Sequence, residues 1–297
     1  MSAPPRWNHS NPTRPMKRNR HETIELTGPG GEPVDFRRTL ASHGVAVLPP
    51  NRVDEEAWTL ERTLSNGTLR AIEQPPGHVR FEPGSAEPTL RRMLNLDEDL
   101  SGFYAVAADD PLLAWVARGA GRMLRSPTVF EDVVKTICTT NCAWSATVRM
   151  VGALVEQLGG GAFPTPEAMA GADEAFYRDV VRAGYRGPYL QSLAAGVADG
   201  RIDLEALLDP ELPDEEVAAR LLALPGVGPY AAAHVMMLVG RYSRLILDSW
   251  TRPKYALVNR GRKASDRTIE RRFRRYGRYA GLAFWLYLTR DWVDDGA

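Results

Sequence analysis

Apolar positions along this 297-residue chain follow two different spacings. From about residue 34 to 90 they come in short runs cut by turn residues, as in Val45-Ala46-Val47-Leu48 before Pro49-Pro50, and His78-Val79-Arg80-Phe81. The stretch Trp58 to Leu69 carries Ser65-Asn66-Gly67 at its middle. Asn-Gly tolerates the positive φ that tight hairpins need, so this stretch predicts a β-hairpin within a small antiparallel sheet. After about residue 89 the spacing turns helical and stays so to the end. Ser126-Pro127 reads as an N-cap and first-turn proline, opening a helix through Phe130, Val133, Val134 and Ile137. A second helix runs from about Trp144 to Leu158 and stops at Gly159-Gly160-Gly161. Phe163-Pro164-Thr165-Pro166 then links into further short helices. Asp214 is placed to cap a helix through Val217, Leu221 and Leu222, and Pro229 opens another that ends at Gly240. Residues 1 to about 28 lack periodicity and are rich in Pro, Asn and Arg, so they read as a disordered tail. The expected class is α+β: an N-terminal antiparallel β-sheet domain at 29–110, then a mostly α-helical bundle at 111–297.

Composition narrows the function classes. A hydrophobic share of 44% and a charged share of 25% are ordinary for a globular domain and exclude a fibrous or collagen-like chain. Cys138 and Cys142 are too few for a disulfide framework or for the four thiolates of an iron–sulfur cluster, which points to a reducing cytoplasm. Two thiolates without a neighbouring histidine make a poor metal site, so both read as small core residues. No run of about 18 apolar residues is free of charge, so no membrane span is expected. The first residues lack the apolar stretch of a signal peptide. Total charge is zero, from 37 basic and 37 acidic residues, but it is unevenly placed. Residues 252 to 278 hold eleven Lys and Arg against Asp266 and Glu270, whereas 203 to 216 hold seven acids and no base. Such a basic segment suits a polyanion-binding face. A solvated helix would look the same, so charge alone does not decide.

The sharpest local signal is Leu224-Pro225-Gly226-Val227-Gly228 between two helices, within 214–240. Glycines two apart allow a tight turn that leaves amide N–H groups bare at a helix start, an arrangement suited to a phosphate. Twenty residues after Gly228 stands Asp248, behind Leu245-Ile246-Leu247. This combination resembles the helix-hairpin-helix DNA glycosylases (the HhH-GPD superfamily). Other segments support it: Arg122 to Pro127 with Ile137 to Asn141, Gly184-Tyr185-Arg186 with Tyr189-Leu190, and Tyr279-Ala280-Gly281 with Trp285. The resemblance covers about residues 34 to 290. It implies a monomer acting on double-stranded DNA that contains a damaged base, in base excision repair at the bacterial nucleoid.

The resemblance also implies roles. Asp248 is the catalytic candidate, because breaking an N-glycosidic bond builds positive charge on the sugar that a fixed carboxylate stabilises. Asp is equally a common helix cap, and both roles are compatible. Pro253, five residues on, leaves the geometry of that helix open. Tyr230 stands where family members with lyase activity carry the lysine that forms a Schiff base. The chain has four lysines, Lys17, Lys135, Lys254 and Lys263, none in the hairpin. The sequence therefore reads as monofunctional. Tyr230 and Trp285 match aromatic pocket positions of 3-methyladenine DNA glycosylase II, although core aromatics would look alike. His234, one turn after Tyr230, joins the pocket set. Phe284 falls where 8-oxoguanine DNA glycosylase reads its lesion with glutamine. Asn141 and Tyr185 match residues that fill the gap left by a flipped base, and Arg186 one that touches the orphaned partner. A second partner-reading arginine falls on Ala146, which leaves opposite-base preference open. Backbone carbonyls of Leu222, Leu224 and Val227 match a monovalent cation site; no other cofactor is expected. The base class that fits best is an alkylated purine. A hairpin protein that only binds lesions, and an 8-oxoguanine-type enzyme, stay as alternatives.

Overall fold

The structure, a computed structural model, describes residues 22–293. Its sheet consists of β1 (Glu22–Glu25), β2 (Asn51–Asp54), β3 (Thr59–Leu64), β4 (Gly67–Glu73) and β5 (His78–Glu82), in the order β1-β5-β4-β3-β2 and antiparallel throughout. The expected hairpin is β3–β4. Leu64 faces Gly67 across a two-residue turn, and Gly67 takes a φ of 141° that suits glycine. Alternate residues Leu60, Leu69, Ala71, Val79 and Phe81 turn inward, and Phe36 and Leu40 of α1 (Phe36–Leu40) and Leu90 and Met93 of α2 (Glu87–Met93) cover them. The tail expected over 1–28 mostly lies outside the described residues. Its last part differs: β1 pairs with β5, and Ile24 and Leu26 are buried, so residues 22–28 belong to the folded sheet domain.

Helices follow: α3 (Ser101–Ala108), α4 (Val129–Thr139), α5 (Trp144–Gln157), α6 (Pro166–Gly171), α7 (Gly187–Ala198), α8 (Asp214–Leu222), α9 (Pro229–Leu238), α10 (Thr251–Val258), α11 (Asp266–Phe273) and α12 (Ala280–Thr289). Two caps differ from expectation. Helix α4 starts after Thr128, not Ser126, because the Thr128 hydroxyl accepts the Glu131 N–H at 3.2 Å. Asp214 is the first residue of α8 rather than its side-chain cap; its carboxylate instead accepts the Ser243 hydroxyl at 2.5 Å.

Two helical cores flank α9. Ala231, Ala232, Val235 and Met236 enter one, with α4, α5, α7 and α8. Ala233, Met237 and Leu238 enter the other, with α3, α11 and α12. A helix buried on opposite faces must be apolar nearly all round, which the run Ala231 to Leu238 satisfies, His234 excepted. Residues 100–110, placed by sequence with the sheet domain, contribute Phe103 and Tyr104 to this second helical core. The sheet is fastened to the helices by buried charge. Arg62 of β3 bonds Glu131 of α4 at 2.6 Å, and Lys135 meets the same carboxylate at 2.7 Å.

Candidate active site

The Leu224–Gly228 hairpin closes with the Val227 N–H donating to the Leu224 carbonyl at 3.2 Å. Gly226 has a φ of 78°, and a Cβ there would stand 2.9 Å from the Cβ of Tyr189. Gly228 is extended, with open space where its Cβ would be. The amides of Gly226, Gly228 and Tyr230 find no acceptor among the described residues. At the start of α9 they form the donor set that an anion requires.

Asp248 sits at the head of α10. Its Oδ1 accepts the N–H groups of Trp250 and Thr251 at 2.8 and 2.6 Å, and its own N–H donates to the Thr251 hydroxyl at 2.8 Å. This reciprocal cap fixes the carboxylate. Its Oδ2 receives no hydrogen bond from the described residues. Pro253 falls in the first turn of α10, where a missing N–H costs nothing, so the helix continues through it.

Beside Asp248 lies a chain of rings. Tyr230 and His234 are 4.6 Å apart between centroids, and His234 and Trp285 5.9 Å. Trp250 leans on Trp285 at 5.6 Å, and Trp292 closes the group. The Trp285 indole is oriented by donating to the Ser42 carbonyl at 2.8 Å. The Tyr230 hydroxyl meets Thr139 Oγ1 at 3.4 Å. Burial pushes the His234 imidazole down to about 4, with neighbouring His43 adding to the shift and the Asp248 charge opposing it. His234 is therefore neutral at pH 7, and its Nε2 is buried without a partner. Burial raises the Tyr230 phenol, the Thr139 hydrogen bond opposes, and the Asp248 charge adds to the rise. The carboxylate is thus electrostatically coupled to both rings.

Phe284 does not join them. It is fully buried against Phe273 and Tyr255, on another face of α12 from Trp285, because consecutive helical residues point about 100° apart. It cannot meet a base edge from there. Trp250 was missed by sequence reasoning, although its place two residues after Asp248 was a usable signal.

Asn141 and Tyr185 are brought together, with Asn141 Nδ2 donating to the Tyr185 hydroxyl at 3.3 Å. Asn141 adopts a φ of 46°, and Tyr185 is 54% exposed. Arg186 lies beside them. Its guanidinium is buried, hydrogen-bonded to the carbonyls of Thr140 and Ala183 and lying against Tyr185. Those bonds tie the two loops together. Cys138 is buried, and the Cys142 thiol donates to its carbonyl at 3.2 Å. Among the described lysines, Lys135 belongs to the Glu131 cluster and Lys254 pairs with Asp291 at 2.7 Å.

No protein-family model matches the chain. N-glycosylase/DNA lyase OGG1 of Arabidopsis thaliana is 26% identical over 91% of this chain and 77% of its own length. YfjP of Bacillus subtilis, provisionally named a DNA-3-methyladenine glycosylase, is 26% identical over 85% of this chain and 95% of its own length. Among solved structures, the 8-oxoguanine glycosylase/lyase of Clostridium acetobutylicum, in complex with double-stranded DNA, superposes with a TM-score of 0.69 at 19% identity; 93% of this chain and 99% of that one are covered. In sequence and in fold the chain is related to the helix-hairpin-helix DNA glycosylases.

Proposed function

We propose that the protein is a monofunctional DNA glycosylase of base excision repair that hydrolyses the N-glycosidic bond of a flipped alkylated purine. The observation that carries this reading is the free Oδ2 of Asp248 beside the Tyr230–His234–Trp285 rings. In the Pro225-Gly226-Val227-Gly228 hairpin and the start of α9, the free N–H groups of Gly226, Gly228 and Tyr230 hold a DNA phosphate, and the carbonyls of Leu222, Leu224 and Val227 would hold a monovalent cation. Asn141 and Tyr185 fill the stack as the base leaves it. The C1′–N bond then breaks with its electron pair on the departing base. Positive charge grows on the sugar, and Asp248 stabilises it. Water adds to C1′ and passes its proton to the Asp248 carboxylate and on to solvent. With no lysine at position 230, the backbone stays uncut.

Alkylated purines such as 3-methyladenine and 7-methylguanine carry positive charge. Electron-rich Tyr230 and Trp285 faces attract such a ring by stacking and cation–π forces, worth about 1–2 kcal/mol when desolvated. Normal bases lack the charge and hold their glycosidic bond more firmly. Trp250 now covers Trp285, so it swings aside when a base is admitted. A panel of single-lesion duplexes, treated with alkali after incubation, tests the reading. Alkylpurines are released faster than 8-oxoguanine opposite cytosine, Tyr230→Ala loses most of that release, and borohydride traps no covalent adduct. Faster release of 8-oxoguanine overturns the substrate, and a robust adduct overturns the monofunctional chemistry.

A further inference from the structure

A cleft of about 760 Å3 opens between the β3–β4 hairpin, the approaches to α2 and α4, and the linker before α6. Its volume falls in the range of roughly 300–1,000 Å3 that ligand sites occupy. Phe130 and Phe163 meet edge to face, 6.3 Å between centroids, and form its aromatic floor with Leu64 and Ile202. Its charged members are Arg62, Glu131, Asp203 and Glu205. Glu131 is shared by Arg62 and the buried Lys135, and Glu205 pairs with Arg92. Asp203 is exposed, with no basic partner among the described residues. Among the cleft's charged members, Asp203 therefore presents the exposed negative charge at its open side.

The chain enters beside this cleft. Glu22 stands opposite Phe81 in the β1–β5 register and its carboxylate lies against Gly84, while Pro83, Ser85 and Ala86 line the cleft wall. The described chain therefore begins at its edge. Residues 1–21 carry five bases, no acid, four prolines and Trp7. Reach is ample, since the fourteen residue-to-residue steps from Trp7 to His21 span up to about 45 Å when extended. Proline-rich segments dock in aromatic-lined grooves at low entropic cost.

We propose that residues 1–21 dock in this cleft, with Trp7 on the Phe130–Phe163 floor and the bases toward Asp203. The occupant matches the site in sign of charge, apolar anchor and point of departure. This docking is independent of the chemistry at Asp248. The test uses the full chain with a benzophenone-bearing phenylalanine at position 7, illuminated and mapped by mass spectrometry. Crosslinks are expected within the chain, to 62–66, 127–131, 162–166 or 197–205. Asp203→Asn keeps the acceptor for the Ala206 N–H while removing the charge. It is expected to lower crosslink yield about threefold, the scale of one exposed ion pair, with base release unchanged. Crosslinks to the hairpin at 224–230, crosslinks to a second copy, no crosslink, or a yield indifferent to Asp203→Asn each overturn the proposal.

Discussion

Asp248 commits one carboxylate oxygen to the start of α10 and keeps the other free, so capping and catalysis can be separated by substitution. Asparagine retains an oxygen acceptor but no charge. Asp248→Asn is therefore expected to keep the thermal midpoint and DNA affinity while losing base release by at least about 10²-fold, the scale of one preorganised charge. Asp248→Ala also removes the cap, at about 1 kcal/mol of stability. Near-normal release by the asparagine variant would return Asp248 to a purely structural role. The catalytic candidate was legible in sequence because its spacing from the hairpin is local. The fate of Arg186 was not, since its partner Thr140 lies 46 residues away.

The hairpin shows how two glycines in one motif answer different demands. Gly226 needs its positive φ and has Tyr189 packed over it, whereas Gly228 is extended and faces open space. Gly226→Ala is expected to lower stability as well as binding. Gly228→Ala should leave the melting temperature in place and weaken binding to any duplex, because a methyl group obstructs close backbone approach. Unchanged affinity for the Gly228 variant would remove that amide from the DNA contact. Helix α9 makes the same point about legibility. Its Pro229 start and Gly240 stop could be read from the chain, but its burial between two cores could not, since those cores are assembled from distant helices.

Across the molecule, buried titratable groups set the pH response. Burial pushes His43 and His234 down to about 4, so in the native state they stay neutral where the unfolded chain, near 6.5, takes up protons. Both contributions are full above pH 6.5 and are lost as pH falls toward 4. Asp132 opposes them: burial raises its carboxyl to about 6, so the native state holds a proton that the unfolded state has released. Its term favours the fold at low pH and fades as pH rises from about 4 to 6. Glu98, also raised by burial, acts with Asp132, whereas Glu131, held down by Lys135 and Arg62, acts with the histidines; with the two histidine shifts leading, urea midpoints are expected to drop between pH 6.5 and 4. His43→Gln with His234→Gln should flatten that limb, and an undiminished limb would assign it to other carboxylates. Charge also sets binding. Arg252, Lys254 and Arg275 are paired with acids, but Arg260, Arg262, Lys263, Arg267, Arg271 and Arg274 are exposed without an acidic partner among the described residues. Duplex affinity should fall with salt at a log–log slope of about −0.9 per neutralised phosphate. Replacing Arg260, Arg262 and Lys263 by alanine should make that slope shallower; an unchanged slope leaves them as a solvated face.

By itself the sequence determined what acts within a turn or two of chain: the Asn-Gly hairpin, the helix periods, the glycine turn ahead of α9, the cap at Asp248 and the tyrosine in place of a lysine. Tertiary structure alone decided what depends on which distant surface a residue meets. Trp285 joins the ring group while Phe284, one residue earlier, is sealed against Phe273, because α12 is apolar on both faces and only its neighbours distinguish them. Phe103 packs with the C-terminal helices rather than the sheet, and Trp250 comes to rest on Trp285. Backbone preference and capping are encoded locally, whereas the burial of a particular side chain is fixed only when elements far apart in sequence close around it.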